Sequence, residues 1–190
     1  MALGDVLALG AAACWAVGSM MSVMPSRHLG AIAFTRWRMG MVSVMLWAVV
    51  LASGSWNGFS VGDFNALALS GLIGIFIGDT ALFAAMNRLG PRRSGVLFAT
   101  HAAFSAALGF AVLGERMSLQ AFIGALLTLG GVMLAILLGR HKNETHAWEA
   151  DQGHVGAGVA LALLAALCQA VGSLLAKPVM AAGLDPVLAS

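Results

Sequence analysis

Continuous apolar runs alternate along the chain with short polar turns, and the runs fall at about Leu3–Met24, Ala31–Ala52, Phe64–Leu89, Ser94–Leu113, Leu119–Leu138 and His154–Ala176. Each is close to the roughly 20 residues that a helix needs to cross a bilayer's hydrocarbon core. A barrel strand would alternate lipid-facing and lumen-facing positions over about ten residues. These runs are instead unbroken and rich in Ala, Leu, Gly and Met, which predicts helices. The expected fold is therefore all-α, a polytopic membrane helix bundle. Pro25 ends the first run, Lys177-Pro178 stops the sixth, and GPRRS and GERMS turn the chain on either side of the fourth. The longest polar stretch, GRHKNETHAWEADQG, is the candidate linker.

A repeat organises the runs. Shifted by 154 residues, VLALGAAACWAVGS (Val6–Ser19) lies over ALALLAALCQAVGS (Ala160–Ser173), and ten of fourteen positions are identical. Ala and Leu raise such a count by composition alone, but the shared C-x-A-V-G-S is harder to attribute to it. An odd number of runs separates the two copies, so the second lies reversed in the bilayer. Inverted repeats of this kind occur in secondary transporters, with a substrate site near the midplane between the halves. On this reading residues 1–139 form one unit, 140–153 a polar linker, and 154–190 the start of a second, inverted unit. The second unit has barely begun at Ser190, so the chain reads as an N-terminal fragment. Its partner would be the C-terminal half of the same chain or a second copy.

Composition agrees with the pattern. Hydrophobic residues make up 60%, charged residues 9%, and mean hydropathy is +0.91, against about 25% charged residues in a soluble domain. The N-terminus carries Asp5 and no Lys or Arg before its first run, so it lacks the basic region of a cleavable signal peptide and predicts a retained span. The net charge of +2 comes from basic residues in turns beside membrane ends, which the bilayer explains without a nucleic-acid partner. Arg27, Arg36, Arg38, Arg88, Arg92, Arg93, Arg140 and Lys142 fall on one side, against Arg116 and Lys177 on the other, a bias that places the N-terminus outside. Cys14 and Cys168 have no CxxC spacing and are expected as small buried packing residues.

The candidate chemistry lies in the third and fourth runs. Asp79 and His101 are nearly equidistant from the GPRRS turn, so two antiparallel helices would hold them at matched depth. A charge at mid-membrane costs about 2.5–3.5 kcal/mol on insertion scales, which makes an acid and an imidazole there a functional hypothesis. The functional reading is a shared proton or cation site; the alternative is a structural carboxylate and a hydrogen-bonded neutral histidine. Gly71, Gly74 and Gly78 precede Asp79, and the Gly-x-x-x-Gly spacing suits close helix packing. Trp15 is too deep in its run for the interfacial belt, which favours a pocket wall. Trp37, Trp47, Trp56 and Trp148 lie nearer run ends or in loops, where the belt accounts for them. Arg36 and Arg38 lie within two turns of a run's start and can snorkel to the headgroups. His141, His146 and His154 show no ligand spacing, so neither metal nor other cofactor is expected. A GxSG turn, an HExxH pair and paired catalytic aspartates are missing from the sequence, and an enzyme is not expected.

The pattern WAVGS (Trp15–Ser19), Arg36, GDTALFAAMNRLG, and above all LGERMSLQAFIG with the trailing Gly130-Gly131-Val132, resembles the EamA-type branch of the drug/metabolite transporter superfamily. The resemblance implies roughly ten spans in two inverted five-helix units, movement of small metabolites, no ATP-binding domain, and Arg36 as an anion contact. It also implies both chain ends inside, opposite to the Lys and Arg bias. The fourth span of such proteins commonly carries an acidic residue followed by proline, where this chain has His101-Ala102. The expected function is a secondary active exporter of small metabolites, with a proton as candidate coupling ion, in a bacterial cytoplasmic (inner) membrane. A non-transporting scaffold or sensor is the alternative, and an intramembrane enzyme the remotest one.

Overall fold

The computed structural model describes residues 3–53, 61–115, 118–138 and 154–182. Helices α1 (Leu3–Leu29) and α2 (Ala31–Ser53) form an antiparallel pair. The third run is a single rod of three pieces: α3 (Val61–Ser70), a π-helical segment (Gly71–Ile77) and α4 (Gly78–Leu89). The fourth is broken into α5 (Pro91–Phe98) and α6 (His101–Leu113), followed by α7 (Leu119–Leu138) and α8 (Val155–Ala181). Among the described residues, five helices are long and apolar enough to cross a membrane. The remaining expected run is helical over its predicted bounds as α7, within which Phe122–Leu134 is a shorter apolar helix. The linker over 140–153, with His141 and His146, lies outside the described residues, as do Trp56 and Arg116.

Neither proline ends its helix. α1 passes through Pro25 to Leu29, where Gly30 turns the chain at φ +82°, and α8 passes through Pro178 to Ala181. Each proline forfeits one backbone bond and sits in the last two turns of its helix, where little of the ladder remains to be broken. Inside a bilayer the backbone still has to be satisfied, so the helices run on to the next turn. Pro91, by contrast, opens α5 at a position where its missing N–H costs nothing, so the fourth run starts earlier than its apolar stretch suggests.

α8 is the centre of the bundle and packs on α3, the π-helical segment, α4, α5 and α6. Its sequence explains the role: Gly158, Ala162, Ala165, Ala166, Ala170 and Gly172 are all buried, and small residues let helix backbones approach where lipid offers no hydrophobic drive. Gly158 accommodates Leu89; a Cβ there would meet Leu89 Cγ at 2.6 Å. The core joins Ala81, Leu82, Phe83 and Met86 of α4 with Phe98 of α5 and Val23 of α1. Cys168 is buried against Gly78, whereas Cys14 is exposed, which corrects the expectation that both are buried. The reason is positional, because the described residues place a neighbour against that face of α8 and none against that face of α1.

The ends of α1 and α4 are tied by polar groups. Ser26 Oγ donates to Asn87 Oδ1 at 3.0 Å, and Asn87 Nδ2 donates to the Ser26 carbonyl at 3.1 Å. Replacing Asn87 with Ala is expected to lower stability by about 1 kcal/mol, the usual scale for an interhelical polar tie in a membrane. A downward shift of the thermal midpoint in detergent checks it, and an unchanged midpoint would mean that water or lipid replaces both bonds.

Candidate functional site

The site is assembled from two pairs of side chains spaced four apart. Phe34 and Arg38 share one face of α2, and Asp79 and Phe83 share one face of α4, since positions four apart lie one turn above another. Where the faces meet, Arg38 forms an ion pair with Asp79 Oδ2. The Arg38 guanidinium lies 5.5 Å from the Phe83 ring centroid, and Phe83 meets Phe34 edge-on at 4.9 Å. Asp79 is largely buried and Arg38 half-buried, so the carboxylate enters the apolar layer already paired. Arg36 is exposed and takes no part, because residues two apart on a helix face away from each other.

The π-helical segment sets where Asp79 points. Fitting a longer turn into the rod rotates α4 relative to α3, and such segments occur at functional sites. Two glycines allow it: a Cβ on Gly74 would meet Gly172 Cα at 3.1 Å, and one on Gly78 would meet Cys168 Cβ at 3.3 Å. Ser70 Oγ closes the crossing by donating to the Gly172 carbonyl at 2.7 Å.

On the other wall the fourth run breaks without proline. Between α5 and α6 the Thr100 N–H turns to Leu97 O at 3.1 Å and the Ala102 N–H to Ala99 O at 3.3 Å, both bonds spanning three residues. Two side chains serve the carbonyls at the break. Thr100 Oγ1 donates to Leu97 O at 2.7 Å, and His101 Nδ1 lies 3.0 Å from Phe98 O. A carbonyl only accepts, so Nδ1 carries the proton and Nε2 is left as the ring's basic atom.

These walls border a half-open cavity of about 350 Å³ lined by Trp15, Asp79, Gly95, Phe98, Ala99, His101 and Gln169. Trp15 stacks on Phe98 at 5.5 Å and 15°, and Phe98 stacks on His101 at 5.1 Å and 26°. The structure thus brings Trp15, Asp79 and His101 around one space and leaves Arg36 outside it. Asp79 and His101 do not bond each other: one is held by Arg38, the other by a backbone carbonyl. Gln169 is the residue that the sequence reading passed over, although the repeat pairs it with Trp15. Among the described residues, no group of three or more His, Cys, Asp or Glu side chains could hold a metal ion.

A bundle of apolar helices around a small, mostly apolar cavity with a few polar groups defines a multi-pass membrane protein with room for a small molecule. A model of the EamA-like transporter family matches residues 2–137, and the chain belongs to that family. Comparisons with curated proteins and with solved structures give no match.

Proposed function

We propose that the chain contributes to a secondary active carrier that exports small metabolites across a bacterial cytoplasmic (inner) membrane, with a proton as coupling ion. The substrate would bind against Trp15, Asp79 and His101, and access would alternate as one inverted unit rocks against the other. Residues 1–139 form the first unit and α8 opens the second, which the C-terminal half of the same chain or a second copy completes. The observation that carries this reading is the placement of Trp15 and Gln169. The two are equivalent by the repeat, and both line the cavity that holds Asp79 and His101. A site on the axis between inverted copies has this property, and a pocket inside one copy does not. The titratable pair supplies the coupling part: His101 Nε2 can take a proton, and Asp79 can exchange Arg38 for one.

The test is solute-driven proton movement in proteoliposomes holding a pH-sensitive dye, with a panel of small metabolites added under an imposed gradient. At least one solute is expected to dissipate the gradient through the wild type and at least about tenfold more slowly through Asp79→Asn. Solute flux indifferent to the gradient would remove the proton, and no flux of any solute would remove the carrier.

A further inference from the structure

We infer that the cavity takes a monovalent organic ammonium ion with an aromatic or apolar body; this names a substrate class and rests on reading the cavity as the carrier's substrate site. The argument is an inventory of what the wall offers a ligand. Asp79 presents a carboxylate, which only accepts, and its bond to Arg38 uses Oδ2, leaving Oδ1 for a ligand. His101 has its Nδ1 proton turned to the Phe98 carbonyl, so its remaining ring nitrogen also accepts. Gln169 and the Trp15 indole N–H are the neutral donors the lining side chains carry, and Gln169 has an acceptor of its own.

The rest of the wall is aromatic. The face of Trp15 carries the negative side of the ring quadrupole, which attracts a cation, and Trp15 is half exposed and so has ring area to offer, whereas Phe98 is buried with Trp15 and His101 stacked on it. Arg38 pairs with Asp79 Oδ2 and lies against Phe83, and it is not part of the lining. A ligand carboxylate would therefore meet Asp79, a lone pair on His101 and the Trp15 face, with only the uncharged donors of Gln169 and the Trp15 indole to bind it. An ammonium meets two acceptors and the Trp15 ring face. The asymmetry disfavours anions, and it disfavours zwitterions by the cost of placing their carboxylate.

The probe is radiolabelled 2-phenylethylammonium, dialysed to equilibrium against the 190-residue chain in nanodiscs. Its competitors keep the ring and change the charge: phenylacetate, zwitterionic phenylalanine and neutral 2-phenylethanol. Saturable binding is expected, with all three competitors weaker by at least about tenfold. Asp79→Asn is expected to weaken binding by at least about tenfold, Asp79→Glu to keep most of it, and Trp15→Ala to weaken it about three- to tenfold where Trp15→Phe does not. Phenylacetate or phenylalanine competing as well as the ammonium would overturn the inference, and that series needs only the wild type. So would undiminished binding to Asp79→Asn, or no saturable binding to the wild type. Binding without flux in liposomes would remove the carrier reading and leave the ammonium site. Flux of another solute with no phenylethylammonium binding would do the reverse.

Discussion

Gly172→Ala is expected to dismantle the bundle, while Gly18→Ala, at the equivalent position of the repeat, leaves it intact. A Cβ on Gly172 would meet Gly74 Cα at 2.7 Å, the Ser70 carbonyl at 3.1 Å and Gly74 N at 3.2 Å. All three are backbone atoms, so no side chain can swing aside, and relief requires α8 to move off the π-helical segment. That movement stretches the Ser70 bond to the Gly172 carbonyl and loosens the seat of Cys168 on Gly78. Overpacking of a tight contact costs about 1–3 kcal/mol and more where nothing can yield, which places this substitution at the upper end. A Cβ on Gly18 meets nothing within 4 Å, so alanine there changes stability only through helix propensity, a gain of up to about 1 kcal/mol. Size-exclusion profiles and thermal midpoints of the two purified variants decide the matter. Equal midpoints would mean that the α8 crossing is not a main support of the fold.

That contrast also marks where sequence stops determining structure. The helices were legible because a bilayer leaves the backbone no alternative over an unbroken apolar run. Their interruptions were not. The π-helical segment has no composition of its own; it forms where Gly74 and Gly78 meet α8, while Gly71 has open space beside it, and half of that contact lies about a hundred residues away along the chain. The break before His101 lacks the proline that would announce it and is held by Thr100 and His101 side chains bonding the Leu97 and Phe98 carbonyls. The prolines that looked like stops were the opposite case, a local signal overridden by the demand for backbone bonds.

The candidate site divides in the same way. Asp79, His101 and Trp15 could be singled out because their residue types are out of place deep in an apolar run, and rarity needs no knowledge of neighbours. Arg38 could not be told from Arg36 by that criterion, since both lie two turns into α2 and both can reach the headgroups. What separates them is the face of the helix, and a usable signal was present: Phe34 and Arg38 repeat four apart, as do Asp79 and Phe83. Gln169 was available by a different route, because the repeat that identified the second copy already paired it with Trp15.

Arg38→Gln is expected to destabilise the protein by about 3 kcal/mol, and adding Asp79→Asn to it to recover most of that loss. Removing one partner of a buried ion pair leaves the other charge without compensation, which costs about 3–5 kcal/mol when burial is complete. The lower figure applies because Arg38 is 34% exposed and solvent or headgroups can reach the gap. Converting Asp79 to Asn in the same chain removes the orphaned charge, so the cost of the double change falls well below that of Arg38→Gln alone. Arg36→Gln serves as the reference: its side chain is exposed, and its removal is expected to stay within about 0.5 kcal/mol. Thermal unfolding of the two single arginine variants and the double variant in one detergent gives the comparison. Equal losses from Arg36→Gln and Arg38→Gln would mean that both arginines act through the headgroups and that the pair with Asp79 contributes nothing. A double variant no better than Arg38→Gln would instead assign the loss to the guanidinium's packing on Phe83, and Asp79 would then be a carboxylate that tolerates solitude in the apolar layer.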